Sequence, residues 1–121
     1  MSERRRVLIV EDNADLRRLY AIGLNQKGYE VKLASNGAEA VERVESDRPD
    51  LIVLDLCMPI MDGWEVIEKV NPPEAGAAIP VIVVSGYTAP PDRPLPSCVQ
   101  AWLAKPATIE DVAGKIREIS A

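Results

Sequence analysis

Residues 51–55 read LIVLD, a run of four apolar residues that ends in an acidic one. The chain contains two further apolar runs, VLIV at Val7–Val10 and VIVV at Val81–Val84. Short, continuous runs rich in β-branched residues are typical of parallel strands with helices on both faces. The three runs therefore predict the central strands of a parallel sheet.

Two weaker segments extend this sheet. Val31–Ser35 alternates between apolar and polar residues, which is typical of an edge strand, and Ala101–Ala104 is suited to a short last strand. The sequence thus predicts five strands.

Helical patterns lie between these segments. The clearest is Ala14–Lys27, where apolar residues recur at helical spacing, Asn13 is a candidate N-cap and Gly28 a candidate stop. The alternation of strand and helix predicts an α/β fold with a parallel sheet and right-handed crossovers. The other predicted helices are Ala38–Val44, Trp64–Val70 and a last one that Thr108 caps and that runs to about Ile119.

Length and charge limit the possible classes of function. A chain of 121 residues has the size of one domain, so we expect a single domain over residues 1–121, with no output domain. The net charge of −5 disfavours direct binding to nucleic acid or to an anionic membrane, and the apolar runs are too short to span a bilayer. Cys57 and Cys98 form neither a CxxC pair nor a metal-ligand cluster, which favours a reduced, cytoplasmic protein.

Polar residues with suitable chemistry follow four of the predicted strands. Because the sequence has no histidine, chemistry must come from carboxylates, hydroxyls and lysine. Ligands of open parallel sheets bind outside the carboxyl ends of the strands, so we expect these groups to meet there. Three carboxylates in one place suit a hard divalent cation such as Mg²⁺. The residues are Glu11, Asp12, Asp55, Ser85 and Lys105.

Several separated motifs resemble those of bacterial response-regulator receiver domains of the chemotaxis-regulator type. Asp55–Gly63, which reads DLCMPIMDG, is similar to their phosphoacceptor loop, and the acidic pair, Ser85 and Lys105–Pro106 match in spacing. The resemblance covers essentially the whole chain. It implies a flavodoxin-like, five-stranded parallel sheet of order 2-1-3-4-5 with helices on both faces.

The resemblance also implies a role for each residue. Asp55 is the nucleophile that takes a phosphoryl group from the phosphohistidine of a histidine kinase or phosphotransfer protein. Asp12, Asp55 and the backbone carbonyl of Cys57 bind Mg²⁺, the expected cofactor, and Glu11 assists through a bound water. The protein is then no conventional enzyme, because it catalyses only its own phosphorylation and dephosphorylation.

The remaining implied roles concern the phosphoryl oxygens and the switch. Lys105 and Ser85 bind phosphoryl oxygens, and the resemblance favours a cis bond between Lys105 and Pro106. Ser85 and Trp102 are the implied switch residues, with Trp102 where receivers usually carry tyrosine or phenylalanine. For Trp102, ordinary core packing is an equally good interpretation.

Each residue has a plainer interpretation when taken alone. Glu11 and Asp12 could form a solvated turn that opens a helix, since acidic residues favour helix N-termini. Lys105 could be a surface lysine. Asp55 is harder to explain away, because an acidic residue that ends an apolar run lies either at the sheet edge or in a costly buried position. The combination of these residues carries the prediction.

The segment before the last strand departs from the family pattern. Receivers have a fourth helix there, whereas this chain has Pro90, Pro91, Pro94 and Pro96. A proline inside a helix costs about 3 kcal/mol, so we expect the fourth helix to be shortened or replaced by a proline-rich loop, with at most a turn or two near Leu95–Gln100. In receivers the fourth helix, the fifth strand and the fifth helix form the face that contacts output partners. We therefore expect this face to be altered here, and the output partner is unknown.

Three alternative functions remain open at this stage. The main one is a receiver-like protein-interaction module that is not phosphorylated, against which the complete set of site residues argues. An aspartate-dependent phosphatase would need a carboxylate two residues after the nucleophile, where this chain has Cys57. A flavin carrier would need a Ser/Thr/Gly-rich phosphate loop after Val7–Val10, which the sequence lacks.

Overall fold

Five parallel strands form one sheet in the computed structural model, which describes residues 5–56, 63–72, 78–86 and 95–120. The strands are β1 (Arg6–Val10), β2 (Glu30–Ala34), β3 (Leu51–Asp55), β4 (Val81–Ser85) and β5 (Val99–Ala104). Their order in the sheet is β2-β1-β3-β4-β5, as expected. The central strands β3 and β4 are buried along their whole length, which explains their continuous apolar runs.

Four helices occur within the described ranges, and their ends follow the local sequence. The Asn13 side chain accepts a hydrogen bond from Leu16 N–H and so caps the first helix, while Gly28 follows its end with φ of 98°. Thr108 and Asp111 exchange side-chain to backbone hydrogen bonds at the start of the last helix. The helices are α1 (Ala14–Gln26), α2 (Gly37–Ser46), α3 (Gly63–Val70) and α4 (Ile109–Ser120).

The helices cover the sheet in two layers, as predicted. One core lies between the sheet and helices α2 and α3 and contains Ala40 and Val66. The other lies between the sheet and helices α1 and α4 and contains Tyr20, Leu24 and Val112. Each side of the sheet is therefore packed, and the polar residues are left at its edges.

The start of the last strand is a correction to the sequence prediction. The strand begins at Val99 rather than Ala101, because Val99 pairs with Val81 across a register irregularity next to Ile82. The other predicted strands and helices differ from the observed ones by one or two residues at their ends.

The expected loss of the fourth helix falls largely on residues that lie outside the described ranges. Residues 87–94, which contain Pro90, Pro91 and Pro94, are among them. Within the described part, residues 95–98 contain a turn at Ser97 and Cys98 and no helix, and β5 follows directly. In the four described ranges, no helix is long and apolar enough to span a membrane.

Candidate phosphoacceptor site

The sheet brings the predicted polar residues to its carboxyl edge. Asp55 and Ser85 are the last residues of β3 and β4, and Lys105 follows β5 directly. Glu11 follows β1, and its N–H donates to the Ala34 carbonyl at 3.1 Å. Parallel strands place their carboxyl ends side by side, which is why residues far apart in sequence meet here.

Three carboxylates form the centre of this site. One oxygen each from Glu11, Asp12 and Asp55 can be chosen so that all lie within 4.8 Å of one another. Glu11 and Asp55 are buried, with 2% and 4% of their surfaces exposed, whereas Asp12 is exposed. An oxygen-only ligand set with one solvent-facing member fits a hard divalent cation that keeps some of its water.

Lys105 supplies a positive charge to the site. Its Nζ lies 2.9 Å from Glu11 Oε1 and 3.1 Å from Asp55 Oδ2. Its backbone N–H donates to the Ser85 carbonyl at 2.6 Å, which fixes the start of the side chain. The peptide bond between Lys105 and Pro106 is cis, as the resemblance implied.

The pKa values of Glu11 and Lys105 are both raised, for different reasons. Burial raises the pKa of Glu11 above its usual 4.5; the hydrogen bond from Lys105 offsets this in part, and the charge of Asp55 adds to it. Burial lowers the pKa of Lys105, but the hydrogen bonds to Glu11 and Asp55 outweigh it, and the net pKa of Lys105 is raised. Lys105 is therefore a fixed positive charge at neutral pH.

The acidic turn after β1 is held by two further residues. Asn13 N–H donates to Glu11 Oε2 at 3.1 Å, and the Arg17 guanidinium donates to the Glu11 carbonyl at 2.8 Å. No sequence pattern indicates this role of Arg17, since an arginine on a helix is usually solvated. These bonds orient Glu11 toward Lys105 rather than toward solvent.

A second set of contacts holds the loop that follows Lys105. The Tyr20 hydroxyl donates to the Ala107 carbonyl at 2.8 Å, and the bond is buried. In the sequence, Tyr20 is one of the residues at helical spacing in the segment Ala14–Lys27, and nothing there indicates a role for its hydroxyl. Its hydroxyl could be seen as important only once its partner, 87 residues away, was known.

Trp102 packs as a core residue and also has an unusual feature. Its ring is partly buried against the core of helices α2 and α3, which agrees with the packing interpretation. Its Nε1 is buried and has no hydrogen-bond partner within the described part of the chain. Cys57, the remaining predicted metal ligand, lies outside the described residues together with the rest of residues 57–62.

Comparisons with known proteins agree with this geometry. The model of the family described as response regulator receiver domain matches residues 7–117. The response regulator MprA of Mycobacterium ulcerans is 34% identical over 116 residues, which is 94% of this chain and 49% of that protein. The chain therefore spans about half the length of the curated relatives it matches.

Solved structures share the fold over almost the whole chain. The chemotaxis response regulator CheY4 of Vibrio cholerae has a TM-score of 0.85 at 26% identity, over 97% of this chain and 99% of that one. The response regulator TrrA of Thermotoga maritima, solved in complex with Mg²⁺-BeF, has a TM-score of 0.82 at 26% identity, over 95% and 98% of the two chains.

Proposed function

The chain belongs to the response-regulator receiver family, and from this premise we propose that it is the phosphoacceptor module of a two-component phosphorelay, with Asp55 as the acceptor. The observation that carries the proposal is the position of Asp55. Its carboxylate is buried at the end of β3, is bonded to Lys105 and lies close to two further carboxylates. A buried nucleophile beside a fixed cation and a cation-binding cluster is what phosphoryl transfer requires.

The transfer forms one bond and breaks another. An oxygen of the Asp55 carboxylate supplies the electron pair that forms a new bond to phosphorus, while the bond from phosphorus to the donor nitrogen breaks. The electron pair of the broken bond stays on the donor nitrogen, and a proton from the solvent leaves the imidazole neutral. The product is an acyl phosphate on Asp55 and a free histidine on the donor.

Lys105 provides the charge stabilisation that the chain itself can supply. Its ammonium is already 3.1 Å from Asp55 Oδ2, so it can contact a phosphoryl group on Asp55 without a large movement. Because the ammonium is preorganised, little reorganisation is needed during transfer. We propose that Ser85, which is buried at the end of the neighbouring strand, binds a phosphoryl oxygen.

Mg²⁺ is the proposed cofactor, and the donor set fits it. When bound, the ion offsets the negative charge that gathers on the phosphoryl oxygens. Asp12 and Asp55 would hold it directly, joined by the Cys57 carbonyl, with Glu11 acting through a water. The complex of TrrA with Mg²⁺-BeF supports this assignment.

Ser85 and Trp102 are the proposed switch. The buried Trp102 Nε1 finds no acceptor among the described residues, and an unsatisfied donor favours any rearrangement that supplies one. Phosphorylation should therefore change the emission spectrum of Trp102, measured in a Trp64→Phe variant so that one tryptophan remains. An emission spectrum that does not respond to phosphorylation would argue for core packing alone.

The proposed phosphodonor is a histidine kinase or a histidine phosphotransfer protein. These 121 residues contain no histidine, so the donor imidazole must lie outside them. One structural relative is the receiver domain of the hybrid histidine kinase CckA, 33% identical with a TM-score of 0.78, which supports a partner of this class.

Intact-mass measurement tests the proposal. The protein is incubated with acetyl phosphate, with and without Mg²⁺, and we expect a magnesium-dependent gain of one phosphoryl mass. Asp55→Asn should abolish the gain, whereas Asp50→Asn should preserve it, because Asp50 lies just before the start of β3, at the end opposite Asp55, and accepts a hydrogen bond from Arg6 N–H. No gain in the parent protein would favour the interaction module instead.

A further inference from the structure

Tyr20 joins two parts of the site that are far apart in the sequence. It lies in helix α1, which starts directly after the acidic turn, and only 1% of its surface is exposed. Its hydroxyl donates to the carbonyl of Ala107, two residues after Lys105. One helix thus contacts both the carboxylate side and the lysine side of the site.

Packing alone does not require the Tyr20 hydroxyl. The ring lies in the apolar core between the sheet and helices α1 and α4, beside residues such as Val112 and Ala113. Phenylalanine or leucine would fill such a space without adding a polar atom, and a buried phenol must find a partner. Burial raises the pKa of Tyr20, so the hydroxyl stays protonated and remains a donor at neutral pH.

The Ala107 carbonyl lies in the middle of the Lys105 loop, the segment from Lys105 to Thr108. The loop is fixed at its start by the bond from Lys105 N–H to Ser85 and at its end by the Thr108 and Asp111 cap. Between these points, Pro106 has no N–H to donate. The bond from Tyr20 joins the middle of this loop to helix α1.

We propose that Tyr20 is a positioning residue for Lys105, whose ammonium it holds in place through the Ala107 carbonyl; this inference rests on the proposed phosphoacceptor function. Removing the hydroxyl leaves a buried carbonyl without its donor, and the loop must shift to find another. A shift of a fraction of an ångström moves the ammonium away from Asp55, and transfer is sensitive to displacements of that size.

A double-mutant cycle tests this role. The rate of phosphorylation by acetyl phosphate is measured at saturating Mg²⁺ for the parent, Tyr20→Phe, Lys105→Met and the double variant. Tyr29→Phe is the matched control, because it removes a hydroxyl from a partly buried ring on the same core. A residue that acts through Lys105 loses its effect when Lys105 is absent, whereas a structural residue does not.

We expect Tyr20→Phe to slow the parent roughly three- to ten-fold and to leave the Lys105→Met background unchanged. Equal slowing in both backgrounds, or no slowing in the parent, would overturn the inference. If Lys105→Met is slow while Tyr20→Phe reacts at the parent rate, the inference about Tyr20 fails and the proposed role of Lys105 stands. If Lys105→Met is as fast as the parent, the proposed role of Lys105 fails and the inference falls with it.

Hydrogen exchange gives an independent measurement that needs no phosphoryl transfer. The Lys105 N–H, which is bonded to Ser85, should exchange faster in Tyr20→Phe than in the parent and in Tyr29→Phe. Unchanged exchange would overturn the inference. If Tyr20→Phe does not fold, Tyr20→Leu, which also lacks the donor, is used for both measurements.

Discussion

Lys105 Nζ lies 2.9 Å from Glu11 Oε1, although the two residues are 94 positions apart in the chain. The same ammonium also contacts Asp55, so one positive charge is shared between two buried carboxylates. Together with Asp12, the three carboxylates of this cluster carry more negative formal charge than this one ammonium offsets. The cluster is therefore suited to a divalent cation, and the stability of the folded protein should depend on one.

Magnesium should stabilise the folded protein. Bringing Glu11, Asp12 and Asp55 together costs electrostatic energy, which a bound cation relieves in the native state only. At a magnesium concentration a hundredfold above Kd the gain is about 2.7 kcal/mol, or a rise in Tm on the order of 10 °C. Thermal unfolding at increasing MgCl₂, with ionic strength held constant by KCl, measures it.

Variants at Asp12 and Asp15 separate the metal site from general salt effects. Asp12→Ala should lose most of the magnesium response. Asp15→Ala, an acidic residue in the first turn of helix α1 outside the cluster, should keep it. A Tm that does not change with magnesium in the parent, or an equal rise in both variants, would contradict the assignment of Asp12 as a ligand.

Stability without magnesium should also depend on the ionisation of Glu11. Its pKa is raised in the folded state, so the native protein keeps a proton that the unfolded chain loses above about 4.5. The stabilisation from this proton is fully present below pH 4.5 and is lost as the pH rises through the raised pKa. The free energy of unfolding of the parent, relative to Glu11→Gln, should therefore fall over this interval. Urea unfolding between pH 4 and 7 measures the difference, and a constant difference would show that Glu11 titrates normally.

The fold was predictable because its central strands are buried on both faces. A strand such as Leu51–Asp55 has no polar side to alternate with, so its apolar run marks it directly. β5 lies at the edge of the sheet and its residues are mostly only partly buried. Its pairing shifts between Val81 and Ile82, and no pattern in the sequence indicates where such an irregularity falls. For this reason the start at Val99 was missed.

The site was predictable as far as strand ends determine it. Glu11, Asp55 and Lys105 meet because parallel strands end at one edge, and the structure brings them into contact. The direct bond between Glu11 and Lys105 was not predicted, because it depends on side-chain orientation within the site. Tyr20 was missed for a similar reason, since its partner is a backbone carbonyl that any residue could supply.

Gly63 marks the close approach of helix α3 to the residues at the end of strand β3. Its N–H donates to the Leu56 carbonyl at 3.0 Å, and the residue is buried at the first position of the helix. A Cβ atom here would lie 2.6 Å from Leu56 Cα and 3.2 Å from the Asp55 carbonyl oxygen. Backbone atoms cannot move aside as a flexible side chain can, so glycine is required for this packing.

Gly63→Ala should therefore disturb both stability and phosphorylation. The added methyl group must displace the backbone of Leu56, which costs about 1–3 kcal/mol, and the displacement reaches the neighbouring Asp55. We expect a lower urea midpoint and slower phosphorylation by acetyl phosphate at saturating Mg²⁺.

Gly114→Ala is the control, because its Cβ would lie 3.8 Å from the nearest neighbour, an Arg117 side-chain nitrogen, and alanine favours the helix by about 1 kcal/mol. That variant should be as stable as the parent or more so, with an unchanged rate. If Gly63→Ala matches the parent in both measurements, the close packing of helix α3 against Leu56 does not control the position of Asp55.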